Sequence, residues 1–470
     1  MKRKALILLS LISLLALIST SCYWRPDSSL GSLRVDVSGI ASRLGNTGDV
    51  IRVYLIADGL LFSAGGEAPF MAEVPASGDF SQEQKINISG LPVGPEYRVM
   101  VGLGPVNSGI FQPYNYADSG RLQVSPNADT AVRVTLQNIS YPYGYAPSFS
   151  PDLLGLELTG VVQSDYYDIY AAKADYLYYP YYGIPASWSL YDSFDLTSES
   201  YRVNSLSRGA SFGPLSVGTY LNSNKGIYQF TNSDGFQIDA SFSSTLSGTR
   251  DIRGSSSLTV PGTDVDYAVF FRRNGGLGGT YVPYADSSDP SLWKWVNVEM
   301  AAVTDMTVSE YNAYYAANGK VFVLAPAYLR DPALAENRKN LSVPAPVQSL
   351  GFRPYVSGSP GGTLYMGTTD GVWEMDVDES TSAPYVTPAS SPIQAVAAGD
   401  RIERIAINSN TTYHEAYLSR YYLYIAKSLN FYKIPFFAVI PGRATGMAWD
   451  NSWNLYISGT EGLSALYAGS

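Results

Sequence analysis

The sequence predicts an all-β chain in which an N-terminal β-sandwich is followed by a β-propeller. Three observations carry this. Between Ser32 and Asn138, short runs alternate apolar and polar residues and are separated by Gly, Pro, Asn and Asp. After residue 151, an aromatic-rich strand, a short polar turn and a second strand recur about every 40–50 residues, the period of propeller blades. Charged residues make up only 15% of the 470 residues against 46% hydrophobic, so much of the polar surface must come from Ser, Thr, Asn, Gly and the 38 Tyr.

The same composition excludes several classes of function. A formal net charge of -10 argues against general nucleic-acid binding, which needs a positive field. One Cys rules out an intrachain disulfide framework and a thiolate zinc cluster. One His rules out a His-rich metal site, and no cofactor is implied.

Residues 1–21 read as an export signal. Lys2, Arg3 and Lys4 precede an apolar run from Ala5 to Ile18, broken only by Ser10 and Ser13. That run is too short to cross a bilayer as a helix, which takes about 20 residues. Ser19, Thr20 and Ser21 then lead to Cys22. This resembles the lipobox of bacterial lipoproteins, with Ser19 where the common pattern has Leu, Val or Ile. The resemblance implies acylation of Cys22 and anchoring to a membrane of the cell envelope. The residues alone also allow an ordinary signal peptide followed by an incidental thiol. Residues 22–31 read as a tether.

In residues 32–139, six alternating runs (32–40, 49–59, 84–91, 97–104, 120–125 and 130–139) predict half-buried antiparallel strands. The segment INISGLPVGPEYRVMVGLG resembles the strand-turn-strand of fibronectin III-like and transthyretin-like domains, which implies that Tyr97 packs back against its corner. Residues 140–151, rich in Pro, Gly and Tyr, read as a semi-rigid linker.

Residues 152–470 carry seven hairpins, at 168–179, 218–230, 267–282, 313–325, 363–377, 422–434 and 454–469. Seven blades is the best-fitting count, with six or eight as neighbours. Further short strands precede some hairpins, at 304–310, 349–354, 403–409 and 445–450. The stretch TGMAWDNSWNLYISGTEGL resembles NHL-type propeller repeats. LYMGTTDGVWEMD resembles the hairpin of two-component-regulator propellers. Both resemblances imply fold rather than chemistry. A strand from residues 150–162 is expected to complete the last blade and so remove an open sheet edge. Residues 408–420 read as a polar insertion, with His414 in a solvated loop.

Catalytic constellations are mostly absent. No G-x-S-x-G elbow accompanies His414. NGGLGG (274–279) opens no helix and reads as a hairpin turn. TDGVW (369–373) only partly resembles the Asp-box of sialidases. The acidic stretches 286–289 and 376–379 read as solvated turns. The Tyr clusters suit packing between blades, with a surplus at 141–145 and 176–182 that could stack on sugar or peptide.

If each hairpin supplies the two middle strands of a blade, all their turns share one end of the ring. Lys173, Arg272, Arg273, Asp370 and Lys427 then form a mixed ring suited to a protein or glycan partner. The reading is a lipid-anchored, non-catalytic envelope scaffold. Its rival is a propeller carbohydrate-active enzyme of the sialidase, lyase or lactonase type, and three or more acids or arginines converging on the axis would sink the binding-only reading.

Overall fold

A computed structural model describes residues 30–468 apart from 40–47, 58–69, 77–82, 127–128, 164–168, 182–188, 197–201, 209–218, 226, 232–236, 240–251, 261–265, 274, 284–293, 334–336, 356–359, 380–385, 389–390, 397–398, 409–413, 428–429 and 441. Cys22, the signal segment and the acidic stretch 286–289 lie outside the described residues. The chain divides into two compact units, Met1–Ile139 and Ser140–Ser470.

The first unit is built from β1 (Leu30–Ser38), β2 (Asp49–Ala57), β3 (Phe70–Pro75), β4 (Gln84–Pro92), β5 (Glu96–Asn107), β6 (Ile110–Phe111), β7 (Asn115–Gln123), β8 (Asp129–Thr135) and β9 (Gln137–Asn138). One sheet runs β4-β1-β8 and the other β3-β2-β5-β7-β9, with β6 paired to β5. The alternation read from the sequence has a direct cause here. Leu33, Val35 and Val37 of β1 face Ile51, Val53 and Leu55 of β2 and Val99, Val101 and Leu103 of β5 in one apolar core. Tyr97 packs back on its corner, donating to the Pro92 carbonyl at 2.7 Å. The edge strand β3 gave no strong alternation and was not anticipated.

The second unit opens with β10 (Tyr145–Phe149). Seven antiparallel sheets follow among the described residues. The first is β11 (Leu158–Gln163), β12 (Ile169–Lys173), β13 (Tyr176–Tyr181) and β14 (Ser189–Asp195). The second is β15 (Val203–Arg208), β16 (Thr219–Ser223), β17 (Ile227–Thr231) and β18 (Gln237–Asp239). The third is β19 (Ile252–Thr259), β20 (Tyr267–Arg273), β21 (Gly276–Val282) and β22 (Lys294–Glu299). The fourth is β23 (Val303–Val308), β24 (Ala313–Ala317), β25 (Lys320–Leu324) and β26 (Arg338–Leu341). The fifth is β27 (Val347–Pro354), β28 (Gly361–Thr368) and β29 (Gly371–Glu379), with β30 (Val386–Pro388) and β31 (Ile393–Val396) both paired to β29. The sixth is β32 (Ile402–Ile407), β33 (His414–Ser419), β34 (Tyr422–Lys427) and β35 (Asn430–Pro435). The seventh is β36 (Ala444–Trp449), β37 (Leu455–Gly459) and β38 (Gly462–Ala468), completed by β10.

The first strands β11, β15, β19, β23, β27, β32 and β36 neighbour one another in turn, and β36 returns to β11. This closed ring of sheets is a β-propeller.

Four expectations are corrected. Residues 376–379 are not a solvated turn but the end of β29, with Val377 and Glu379 buried. Residues 145–149 are not linker: they form β10, which pairs antiparallel with β38 from Tyr145↔Ala468 to Phe149↔Ser464. The closing strand therefore lies earlier than residues 150–162, and Leu158–Gln163 instead begins the first sheet. Residues 414–419 are not part of a polar insertion but the second strand of the sixth sheet, all six of them buried. His and Glu inside this strand concealed its pattern.

Two repeated features organise the ring. Each first strand is bulged near its start, where the register skips one residue: Thr159, Asn204, Arg253, Thr304, Gln348, Glu403 and Thr445. Six of these follow a buried aliphatic residue, such as Leu158, Ile252 or Ile402, that anchors the strand. Two paired positions beyond the bulge, the second strands of six sheets carry Tyr170, Tyr220, Phe270, Tyr314, Tyr365 and Tyr456. All six are at most 1% exposed. The sixth sheet has Ala416 there, with Tyr417 one position away. Tyrosine is used because its ring fills the interior while its hydroxyl finds a partner. Tyr314 donates to Glu379 at 2.7 Å, Tyr365 to Glu415 at 2.9 Å and Tyr456 to Asp450 at 3.1 Å.

Candidate functional site

The seven first strands enclose a central channel with a cavity of about 440 Å³, within the 300–1,000 Å³ range of small-ligand sites. Every first strand contributes to its wall. The bulges lie at the end of the ring that carries the turns between second and third strands, because each bulged residue pairs near the last residue of a second strand. Bulges re-aim side chains and recur beside functional sites.

The residues just after the bulge are Gly160, Ser205, Gly254, Asp305, Ser349, Arg404 and Gly446. Five are small, and packing explains some of them. A Cβ on Gly446 would sit 3.0 Å from the Val161 nitrogen of the adjoining strand. Two strands depart from smallness, β23 with Asp305 and β32 with Arg404, and they flank β27.

Asp305 Oδ2 accepts from the Leu350 amide at 2.9 Å, so its carboxylate reaches across to the next sheet. Enclosure in the ring pushes its pKa up, opposed by the Arg272 charge, by backbone N–H groups and by Arg404. Arg404 is exposed toward the channel, yet the ring of first strands encloses it. This enclosure lowers the guanidinium pKa, with the Asp305 charge acting against it. A guanidinium remains charged under such a shift. Among the described residues its head group makes no hydrogen bond or ion pair.

Arg272 comes from the second strand β20 and pairs with Gly254. The missing side chain at Gly254 gives it a path: its Nε passes 3.7 Å from where a Cβ would stand. Its guanidinium then donates to the Arg253 carbonyl at 3.1 Å and to the Thr304 carbonyl. Arg253 is itself a bulged residue on the channel wall. Glu403 also lines the wall but is ion-paired with Arg420 at 3.0 Å. Two arginines, Arg272 and Arg404, thus act on one carboxylate without an ion pair, and Arg253 shares their wall.

Of the residues singled out in the sequence, only Arg272 lines this channel. Arg273, Lys173 and Asp370 lie at the same end of their sheets. Arg273 donates to Asn297 at 2.5 Å. Lys173 is ion-paired with Asp175 at 3.4 Å and stands over the Tyr176 ring. Asp370 is an exposed turn residue whose carbonyl accepts from Gln394 at 2.9 Å. Lys427 does not share that end. It closes the third strand of its sheet, so its turn lies opposite, where its Nζ reaches the Tyr143 carbonyl at 3.3 Å and stands 4.6 Å from the Tyr145 ring centre. The corresponding middle turn of that sheet contains Arg420.

His414 is buried rather than in a loop, stacked on Trp453 at 5.6 Å and edge-on to Trp449 at 5.8 Å. Burial lowers its pKa, helped by Lys427 and opposed by Glu415. It is not among the channel-wall residues. Among the described residues no group of three or more His, Cys, Asp or Glu is placed to hold a metal ion.

No protein-family model and no curated protein matches the chain. Solved structures share its general form. PorZ, an essential bacterial surface component of the type-IX secretion system of Porphyromonas gingivalis, is 16% identical over 68% of this chain and 38% of its own, with a TM-score of 0.44. Virginiamycin B lyase from Staphylococcus aureus is 10% identical over 69% of this chain and 99% of its own, with a TM-score of 0.45. The extracellular domain of BT4673 from B. thetaiotaomicron is 11% identical over 68% of this chain and 39% of its own, with a TM-score of 0.45. The chain spans under half the length of PorZ and of the BT4673 domain.

Proposed function

We propose that this chain is a bacterial envelope lipoprotein, held to the membrane through acylated Cys22, whose propeller binds a protein or glycan partner without transforming it. The partner is taken at the end of the ring that bears the bulges. The observation behind this reading is the make-up of the channel wall. Glycosidic chemistry ordinarily needs a pair of carboxyl groups, one to donate a proton and one to act as base or nucleophile. Glu403 is engaged by Arg420, which leaves Asp305 without a second free acid among the described wall residues. His414 is packed between tryptophans elsewhere.

One observation favours the enzymatic rival: Arg253, Arg272 and Arg404 all line the channel, although Arg272 is tied to two backbone carbonyls, so two guanidiniums rather than three are available to a ligand. The two readings separate in one experiment. The full chain in detergent is incubated with uronate-containing oligosaccharides and followed by NMR. The binding reading expects no product. Turnover that disappears in Asp305→Asn would establish the enzyme instead.

A further inference from the structure

The ring is acidic as a whole, yet the charges that reach its axis are mostly basic. We infer that the channel mouth is a site for a small hydroxylated carboxylate, such as a uronic acid, whose carboxylate sits between the guanidiniums of Arg404 and Arg253. This rests on the reading of the bulged end as the ligand face and adds the chemical class of the ligand.

Four features point there. The guanidiniums of Arg404 and Arg253 make no hydrogen bond or ion pair among the described residues, while Arg272 is tied to two backbone carbonyls and adds fixed positive charge. Paired N–H donors of arginine match the two oxygens of a carboxylate. Asp305, its Oδ2 held by the Leu350 amide at 2.9 Å, lies close enough for the Arg404 and Arg272 charges to act on it. A carboxylate at that place repels a dianion such as phosphate, but it accepts a hydrogen bond from a hydroxyl, so the site selects a monoanion that also carries hydroxyl groups. Thr307 adds a hydroxyl to the wall, and those of Ser205, Ser207, Ser255, Thr304 and Thr445, already bonded within the protein, keep lone pairs that can accept. The cavity of about 440 Å³ holds one sugar ring with its substituents.

Calorimetric titration of the full chain in detergent tests this with glucuronate, its neutral counterpart glucose, and inorganic phosphate. Glucuronate is expected to saturate, glucose not to bind, and phosphate to bind more weakly. Arg404→Gln should weaken glucuronate roughly tenfold to a hundredfold, as expected for loss of a charge-assisted pair. Arg404→Lys should recover only part of this, because a point charge lacks the fork. If Arg404→Gln does not fold by its melting transition, Arg253→Gln at the exposed bulge takes its place. Equal binding of glucose and glucuronate, tighter binding of phosphate, no saturation by glucuronate, or unchanged affinity in the folded variants would each overturn the site. Conversion of glucuronate-bearing oligosaccharides with this binding intact would overturn the non-catalytic reading and leave the site standing.

Discussion

The Tyr314 hydroxyl donates to Glu379 Oε1 at 2.7 Å and so joins the second strand of the fourth sheet to the third strand of the fifth. Ser309 and Asn312 donate to the same oxygen, at 2.6 and 2.8 Å. Tyr314→Phe keeps the ring and removes one of these donors. The variant is expected to lose about 1.5–3 kcal/mol, the range for a hydrogen bond to a charged group. Denaturant unfolding of both proteins checks it, and an unchanged midpoint would show that the bond between sheets contributes nothing.

Glu379 also gives a pH dependence with a definite sign. Burial raises its pKa above the ordinary 4.5, against the three hydrogen bonds. Between that value and the raised one, the folded protein holds more protons than the unfolded chain. Stability therefore falls as pH rises through the window. Asp305, Asp450 and Glu374 are shifted the same way. His414, shifted down from 6.5, acts oppositely, and its contribution is lost as pH falls toward and below that value. As pH rises from 4.5, melting temperatures should fall more for the wild type than for Glu379→Gln. Parallel curves would contradict the assignment.

Gly254→Val should disturb the channel without breaking the ring. The new side chain occupies the path that Arg272 takes to the Arg253 and Thr304 carbonyls. Affinity for glucuronate is expected to drop several-fold while the melting transition stays cooperative. A variant that binds as the wild type does would show that Arg272 placement is irrelevant.

Removing residues 450–470 takes away β37 and β38 and leaves β10 without its ladder. The expected outcome is loss of the cooperative propeller transition in calorimetry, because the ring is no longer closed. An unaltered transition would mean that closure is dispensable.

Cys22→Ala tests the anchor. Incorporation of a fatty-acid analogue should vanish and the protein should leave the membrane fraction. Labelling that persists in the variant would rule out acylation at this residue.

The sheets were legible because hairpins such as 267–282 and 313–325 set two aromatic-bearing runs about a short polar turn. The closing strand was hidden by composition: Pro147 and Gly144 make 140–151 look like a linker, yet a proline is tolerated on an edge strand, and β10 is one. The channel mouth was harder to read. Its residues belong to first strands that are short and interrupted by bulges, so period-two alternation fails there. A usable signal did exist: Leu158-Thr159, Val203-Asn204, Ile252-Arg253, Val303-Thr304, Val347-Gln348 and Ile402-Glu403 each set a polar residue after a buried aliphatic one. Arg404 could not be distinguished from a surface arginine, because its significance depends on strands far apart in sequence meeting at one axis. Lys427 was misplaced because concealment of β33 made β34 and β35 look like a middle hairpin.

The pairing of β10 with β38 also has a consequence for biogenesis. The strand made first in the ring must wait for the strand made last, and loop closure over such a span is slow. Throughout synthesis, β10 remains single and the growing row of sheets keeps an open edge. Such edges recruit other chains. The interval before residue 468 emerges is thus the period in which this protein most needs a holding chaperone, and its yield should depend more on that factor than the stability of the finished ring would suggest.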